Sequence, residues 1–250
     1  MSRALLSINV NKYALVRNSR GRNVPNLLDC ADACIAAGAR GITVHPRRDE
    51  RHIRMADVPV LAKHLRQHHP TIEYNVECEP HDAILDMVLD VHPEQCTLVP
   101  VSPGEVTSDH GWNLPADTAL LAPVLTRLRA DGIRSSIFMD CTPEGMARAA
   151  DVGTDRVELY TGPYAWGFGT PNEARETERI FATARAALLA GVGLNAGHDL
   201  DRFNLVPLQA LPGLREVSIG HAHVCRALEI GTAKSIVELN TALGWPAVRP

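Results

Sequence analysis

The chain has 250 residues, of which 45% are hydrophobic and 22% charged, and its net charge is −4. This length suits one (β/α)8 barrel or two small domains, and either would bury a sizeable core. The acidic balance argues against a nucleic-acid partner, which would favour a basic surface. The N-terminal run is too short for a secretion signal, and no stretch approaches the roughly 18 apolar residues of a membrane span, so we expect a cytoplasmic protein.

Short apolar runs alternate along the chain with longer segments of helical period. The predicted strands are residues 5–11, 41–45, 71–77, 95–101, 134–140, 156–161, 193–198 and 215–221. The predicted helices are residues 27–37, 56–68, 81–91, 119–130, 143–153, 172–189, 205–210 and 225–243. The segment after the first strand, with Arg17, Arg20 and Arg22, is predicted to be a polar loop.

This alternation predicts a parallel sheet with right-handed crossovers. Eight units in 250 residues match a single-domain (β/α)8 barrel over residues 1–250. The alternative is a doubly wound open sheet. Such a sheet usually has a glycine-rich dinucleotide turn after its first strand, and the segment after Asn11 has none.

The segment GITVHPRRDERH, residues 41–52, joins a β-branched strand to a loop rich in titratable groups. Pro46 disfavours helix at His45 and keeps that residue extended at the strand tip. Polar residues also follow most other predicted strands, and in a barrel these ends share one rim, where active sites form. We therefore predict a catalytic rim rather than a merely solvated loop.

Four residues of this rim suit proton transfer. His45 and His198 titrate near neutral pH, and burial of Glu77 and Glu158 would raise the carboxyl pKa towards the same range. Such a set suits a reaction with several proton transfers.

Glycine and polar residues end strands seven and eight, in the runs NAGH (195–198) and IGH (219–221). Barrels often bind phosphate at these two strand ends. Arginines that could add anion contacts are Arg17, Arg20, Arg47 and Arg51. Together these features predict a phosphorylated substrate.

By residue type, His45, His198 and His221 with Glu77 resemble a divalent-metal set. No His-x-His or His-Glu-x-x-His pattern supports that interpretation, so we expect no metal. A Gly-x-Ser-x-Gly elbow is also absent. The cysteines, expected to be reduced thiols, are Cys30, Cys34, Cys78, Cys96, Cys141 and Cys225.

Several segments resemble, in order and spacing, the pyridoxine 5′-phosphate synthases of the deoxyxylulose-dependent vitamin B6 pathway. They are NVNKYALVRNSRG, GITVHPRRDERHI, YNVE, VTSDHGW, VELYTGPYA, LNAGH and IGHA. The resemblance implies a (β/α)8 barrel that uses no cofactor or metal. It would condense 3-amino-2-oxopropyl phosphate with 1-deoxy-D-xylulose 5-phosphate into pyridoxine 5′-phosphate, phosphate and water. It also implies a homo-octamer built from dimers.

By the same resemblance, His45 and Glu77 are proton acceptors, His198 is the proton donor and Glu158 stabilises the transition state. The positions that match binding of the amino-ketone phosphate are Asn9, Arg20, Gly220 and His221. The positions that match binding of the deoxyxylulose phosphate are Arg47, His52 and Thr107.

Three residues depart from the family pattern. Asn11 and Lys12 stand where the family has Asp-His, and Asp199 stands where it has a glycine. We expect all three to remain at the substrate-binding site with altered geometry.

The long loop at residues 102–114, which carries Trp112, is the predicted lid over the site. Two alternatives remain open: a related barrel lyase or aldolase acting on a different sugar phosphate, and a phosphate-ligand sensor without catalysis. A sensor would have no need of all four acid/base residues.

Overall fold

The computed structural model describes residues 3–102, 104–105 and 107–246. Eight parallel strands close into a barrel, in which each strand pairs with the next and the last pairs with the first. The strands are β1 (Leu5–Asn9), β2 (Gly41–Val44), β3 (Glu73–Cys78), β4 (Gln95–Leu98), β5 (Arg134–Asp140), β6 (Arg156–Tyr160), β7 (Gly193–Gly197) and β8 (Leu214–Ile219). The predicted (β/α)8 fold is confirmed.

Helices surround the barrel. In the described part of the chain they are α1 (Asn11–Asn18), α2 (Leu27–Ala36), α3 (Asp57–His68), α4 (Asp82–Val91), α5 (Thr118–Ala130), α6 (Pro143–Val152), α7 (Gly162–Gly167), α8 (Glu173–Ala190), α9 (Leu205–Leu208), α10 (His221–Ile230) and α11 (Thr232–Ala242). Within the described ranges, no helix combines the length and apolar character needed to cross a membrane.

Residues along each strand alternate between the barrel interior and the helices, because successive side chains of a strand point to opposite faces. Apolar residues such as Val76 face the helices and join the main core. On the same face, the Tyr74 hydroxyl donates to the Val58 carbonyl of α3 at 3.2 Å. Many residues of the other face are polar, and some contact one another, as Ser7 and Thr43 do at 2.7 Å.

A polar layer fills the interior near the strand N-termini. The guanidinium of Arg156 donates to Gln95 and Asn195, each at 3.3 Å, and lies 3.5 Å from the Glu216 carboxylate. Burial raises the Glu216 pKa to about 7. Glu158 follows Arg156 by two positions on β6, so it occupies the next layer towards the open rim.

Three segments differ from the sequence-based prediction. Residues 11–18 form α1 rather than a polar loop, because Ala14 packs into the core and Arg17 is buried in an ion pair. The segment between the sixth predicted strand and the helix predicted at 172–189, for which no element was predicted, contains the short helix α7. The predicted helix 225–243 is two helices, because Gly231 lies between them at φ 85° and ψ 155°.

Candidate active site

A cavity of about 310 Å³ opens at the C-terminal ends of the strands. It is lined by all of the predicted catalytic and substrate-binding residues except Arg20, whereas the further anion contacts expected of Arg17 and Arg51 are not part of it. These residues are Asn9, Asn11, Lys12, His45, Arg47, His52, Glu77, Thr107, Glu158, His198, Asp199, Gly220 and His221. The barrel therefore brings together residues that are up to 212 positions apart in the sequence, as Asn9 and His221 are.

His45, Glu77 and Asn9 meet because β1, β2 and β3 are neighbours in the barrel. Nδ1 of His45 lies 3.4 Å from Oε2 of Glu77, and the Asn9 amide donates to the same oxygen at 3.4 Å. Nε2 of His45 is buried and has no hydrogen-bond partner among the described residues. The ring is thus held by one nitrogen while the other remains available to a substrate.

Asn11 supports this group through the backbone. Its Oδ1 accepts the N–H of His45 at 3.0 Å, and its own N–H donates to Oδ1 of Asn9 at 3.0 Å. An aspartate oxygen could accept the same bond from His45, so an amide at position 11 preserves the local backbone.

Glu158 is a buried carboxyl group, 4% exposed, in the barrel interior. Desolvation raises its pKa well above the usual range, and the carboxylates of Glu77 and Glu216 raise it further. Gly197 on the neighbouring strand β7 leaves room for it, because a Cβ at position 197 would collide with Oε1 of Glu158. Both effects favour the protonated form of the carboxyl group, which can donate a hydrogen bond.

His198 stands at the end of β7 with φ 89°, and Asp199 follows with φ 57°. Nδ1 of His198 lies 3.0 Å from Oδ2 of Asp199, and Nε2 lies 3.2 Å from the Thr107 hydroxyl. The Asp199 carboxylate also accepts the indole N–H of Trp166 at 2.9 Å. The hydrogen bond to His198 lowers the Asp199 pKa. Asp199 is therefore ionised, and its carboxylate holds the His198 ring.

One end of the cavity is formed by the N-terminus of α10. Gly220 is the N-cap residue, and Gly220, His221 and Ala222 line the cavity there. Gly220 packs closely on β1, since a Cβ at this position would lie 3.0 Å from the Asn9 carbonyl oxygen. The free N–H groups and the dipole of a helix N-terminus favour an anion.

A second group of anion-binding candidates contains Lys12, Arg47 and His52. The Arg47 guanidinium is buried, 3.4 Å from the Glu105 carboxylate. Burial, together with the positive charge of neighbouring groups, lowers the His52 pKa to about 3, so its ring is neutral. Nδ1 of His52 accepts the Ile53 N–H at 2.9 Å, so the ring proton is on Nε2, which can donate to a ligand.

Comparison with known proteins identifies the family. The family model of the pyridoxal phosphate biosynthesis protein PdxJ matches residues 6–244. The chain belongs to the PdxJ family. It is 51% identical over 239 residues to the pyridoxine 5′-phosphate synthase of Albidiferax ferrireducens, covering 92% of this chain and 94% of that protein. It is 46% identical over 244 residues to the synthase of Mesorhizobium japonicum, covering 97% and 99%.

Two solved structures of other proteins share the barrel. The tryptophan synthase A-subunit of Pyrococcus furiosus superposes with a TM-score of 0.65 at 14% identity, covering 96% of this chain and 98% of that one. The YdjI aldolase of Escherichia coli gives 0.63 at 11% identity, covering 96% and 87%. At such identities the likeness concerns the fold alone.

Three arginines predicted as anion contacts, Arg17, Arg20 and Arg51, do not line the cavity of this PdxJ-family chain. Arg51 instead lies 2.6 Å from the Asp49 carboxylate. Arg17, predicted as an anion contact, is buried and binds both oxygens of Asp57 at 2.7 and 2.8 Å, so it joins α1 to α3 instead. Arg20 is exposed in the turn after α1 and does not line the cavity. Its role in phosphate binding stays a prediction.

The predicted lid, residues 102–114, includes Pro103 and Val106, which lie outside the described residues. Its C-terminal part is packed into the barrel. Trp112 is buried, and its indole N–H donates to the Leu98 carbonyl at 2.8 Å. Trp112 is therefore anchored and would make a poor reporter of loop movement.

Other residues of the cavity were not predicted from the sequence. They are Val99, Ser108, Phe138, Leu200, Ser218, Ile219 and Ala222. The bond from Trp166 to Asp199 was missed as well, because it joins α7, a helix that was not predicted, to a residue 33 positions later. No local pattern indicates this contact.

Proposed function

We propose that this chain is a pyridoxine 5′-phosphate synthase. It condenses 3-amino-2-oxopropyl phosphate with 1-deoxy-D-xylulose 5-phosphate to pyridoxine 5′-phosphate, inorganic phosphate and water. The observation that carries the proposal is one cavity with His45, Glu77, Glu158 and His198 around it and anion-binding groups on two sides. Each chemical step, imine formation, loss of phosphate, loss of water and ring closure, moves protons, which these side chains supply.

His45 and Glu77 act as the proton acceptors. The unpartnered Nε2 of His45 takes a proton from the bound substrate, and the Glu77 carboxylate, 3.4 Å from Nδ1, accepts the proton of that second ring nitrogen. The same carboxylate orients the ring.

Glu158 stabilises negative charge that develops on a substrate oxygen. Because burial keeps the carboxyl protonated, it donates a hydrogen bond without a prior proton transfer. A donor fixed in a water-poor site is most effective where charge develops in the transition state.

His198 acts as the proton donor, and Asp199 orients it. The carboxylate at Nδ1 holds the ring and directs Nε2 to the Thr107 side of the cavity. The proposal thus gives Asp199 a role in positioning His198, in place of the direct substrate contact expected from its place in the sequence.

The two phosphate groups occupy different parts of the cavity. We assign the amino-ketone phosphate to Gly220 and His221 at the start of α10, with Asn9 beside them. We assign the deoxyxylulose phosphate to Lys12, Arg47 and His52. Guanidinium and imidazole donors match phosphate oxygens, and the helix N-terminus adds backbone N–H groups.

The proposal extends to a cytoplasmic homo-oligomer. Three apolar side chains on α1 or in the segment after it are exposed: Leu15 by 44%, Val16 by 53% and Val24 by 71%. A second copy of the chain could cover them. Light scattering on the purified protein should give a mass well above 27.2 kDa. Val16→Glu should lower that mass, and a monomeric parent protein would refute this part.

The reaction is tested by mixing the purified protein with both phosphorylated substrates. We expect pyridoxine 5′-phosphate and inorganic phosphate to appear in equal amounts. His198→Asn should bind inorganic phosphate normally but lose turnover. Turnover only when another sugar phosphate replaces the deoxyxylulose phosphate would indicate an aldolase or lyase instead. Ligand binding without any product would indicate a sensor.

A further inference from the structure

A cluster of three side chains, Asp32, His64 and His69, lies on the outer face of the barrel between α2 and α3. Oδ1 of Asp32 lies 2.7 Å from Nε2 of His64 and 2.8 Å from Nε2 of His69. The ligand atoms of the three residues all lie within 4.8 Å of one another. None of the three lines the active-site cavity.

The donor set has a definite chemical preference. Two imidazole nitrogens and one carboxylate oxygen form a set that zinc binds, at about 2.0–2.2 Å per bond. Ligand atoms around a tetrahedral zinc ion lie roughly 3.3 Å apart. The contacts of Asp32 need to open by only about half an ångström to admit the ion, which small side-chain rotations provide.

We propose that Asp32, His64 and His69 bind a divalent transition-metal ion of the zinc class, with water as the remaining ligand. All three are partly accessible, with side-chain exposures of 42%, 17% and 25%, so an ion can enter from solvent. Their position on separate elements means that the ion joins α2 to the C-terminal end of α3.

The backbone prepares this arrangement. His64 is in the third turn of α3, and His69 is the C-cap residue, whose φ of −139° and ψ of 56° leave the helical path. This change of direction brings the His69 ring to 5.9 Å from the His64 ring, although a regular helix would place residues five positions apart on different faces. Asp32 then supplies the oxygen from the neighbouring helix.

A third imidazole, that of the exposed His68, lies beside the cluster, with its ring 4.8 Å from the His64 ring. His68 does not belong to the group whose ligand atoms all lie within 4.8 Å of one another. It therefore offers a matched control for the ligand set.

The ion should stabilise the fold. A ligand that binds only the native chain lowers the unfolding equilibrium constant by a factor of about 100 when its free concentration is about 100 times Kd. Because the cluster is remote from the cavity, turnover below the melting temperature should not change. The site is therefore structural rather than catalytic, and it does not depend on the proposed synthase activity.

The test uses the full chain after treatment with a chelator. Calorimetric titration with zinc should show binding at this site, and cobalt in its place should give the visible absorption of a tetrahedral complex. Asp32→Asn and His64→Gln should each lose that absorption and the zinc-dependent rise in Tm. His68→Gln, one turn from His64 on the same helix, is the matched control and should keep both.

Circular dichroism and the Tm without metal show whether each variant folds. A variant that is less stable without metal remains informative, because the zinc-dependent change in Tm is compared within each variant. An unchanged zinc effect in both Asp32→Asn and His64→Gln would overturn the proposal, and so would a parent protein that zinc does not stabilise. Loss of the effect in His68→Gln with retention in Asp32→Asn would also overturn the ligand set.

Discussion

Glu158 and Asp199 are two carboxyl groups of one cavity whose pKa values are shifted in opposite directions. Desolvation and the nearby carboxylates of Glu77 and Glu216 raise the Glu158 pKa well above its usual range. Asp199 accepts hydrogen bonds from His198 and Trp166, so it is ionised. The difference in pKa comes from the surroundings rather than from the residue type. It suits Glu158 to hydrogen-bond donation and Asp199 to orienting the His198 ring.

The role of Glu158 can be separated from that of an ionised carboxylate. Glu158→Gln keeps a hydrogen-bond donor of the same shape, so we expect kcat to fall by no more than about tenfold. Glu158→Leu removes the donor and should lower kcat by about 10²–10³-fold. Steady-state kinetics of the two variants make the comparison. Equal losses in both would mean that Glu158 acts as a base.

Asp199→Asn keeps the shape of the side chain but removes the charge beside His198. The amide holds the His198 ring less firmly than the carboxylate does, so kcat should fall about tenfold while KM for both substrates changes little. Steady-state kinetics measure both constants. Asp86→Asn, which changes an exposed carboxylate distant from the cavity, is the control. A raised KM with an unchanged kcat would refute the orienting role.

Helix α1 depends on tertiary contacts. Arg17 and Asp57 form a buried bidentate pair between α1 and α3, and Arg17 also donates to the His52 carbonyl at 3.4 Å. The pair therefore supports the loop that carries His52. A helix of 8 residues is too short to be stable by itself, so such contacts decide whether it forms.

Removal of one partner of this pair leaves the other charge buried. Arg17→Met should lower the free energy of unfolding by about 3 kcal/mol. The double variant Arg17→Met, Asp57→Leu should recover at least half of that loss, because no unpaired charge remains. Urea unfolding of the single and double variants measures the coupling. Additive losses would show that the pair is not coupled.

The junction of α10 and α11 depends on one glycine. Gly231 combines φ 85° with ψ 155°, a region almost closed to other residues, whereas Gly191 after α8 has φ 74° and ψ 16°, in the left-handed helical region. A Cβ at either position would meet no atom within 4 Å, so only the backbone matters. Gly231→Ala should lower the free energy of unfolding by about 1–3 kcal/mol, a larger loss than that caused by Gly191→Ala. Chemical unfolding of both variants tests the order.

At the scale of the whole molecule, the polar layer inside the barrel makes stability depend on pH. The Glu216 pKa is about 7 in the folded chain against 4.5 for the free group. As the pH rises above 4.5, the unfolded chain releases this proton first, so the free energy of unfolding falls until the pH reaches about 7. Below pH 4.5 the contribution of Glu216 to the free energy of unfolding is fully present.

Glu216→Gln should remove this dependence. We expect the parent protein to lose roughly 3 kcal/mol of stability through this group between pH 4.5 and 7, and the variant to lose much less. Guanidinium unfolding at several pH values provides the measurement. Glu178→Gln, an exposed carboxylate of α8, should behave like the parent. The same slope in Glu216→Gln would show that other groups dominate.

Features that depend on local sequence were predictable. The barrel follows from eight strand–helix units, and the rim follows from polar residues such as His45, Glu77 and His198 at strand ends. Local pattern suffices here, because the period of hydrophobic residues sets the type of element and parallel strands place their ends together. The family resemblance then pointed to the reaction.

Features that depend on distant contacts were decided only by the tertiary structure. Arg17 looked like a surface ligand until Asp57, 40 positions away, was found beside it. The spacing of His64, His68 and His69 was visible in the sequence, but the carboxylate of Asp32 comes from another helix. Protonation of Glu158 follows from burial, which no single segment encodes. The sequence by itself thus determined the barrel and its reactive rim, whereas folding decided which charges are paired, which are buried and which are free to react, because these depend on what surrounds each group.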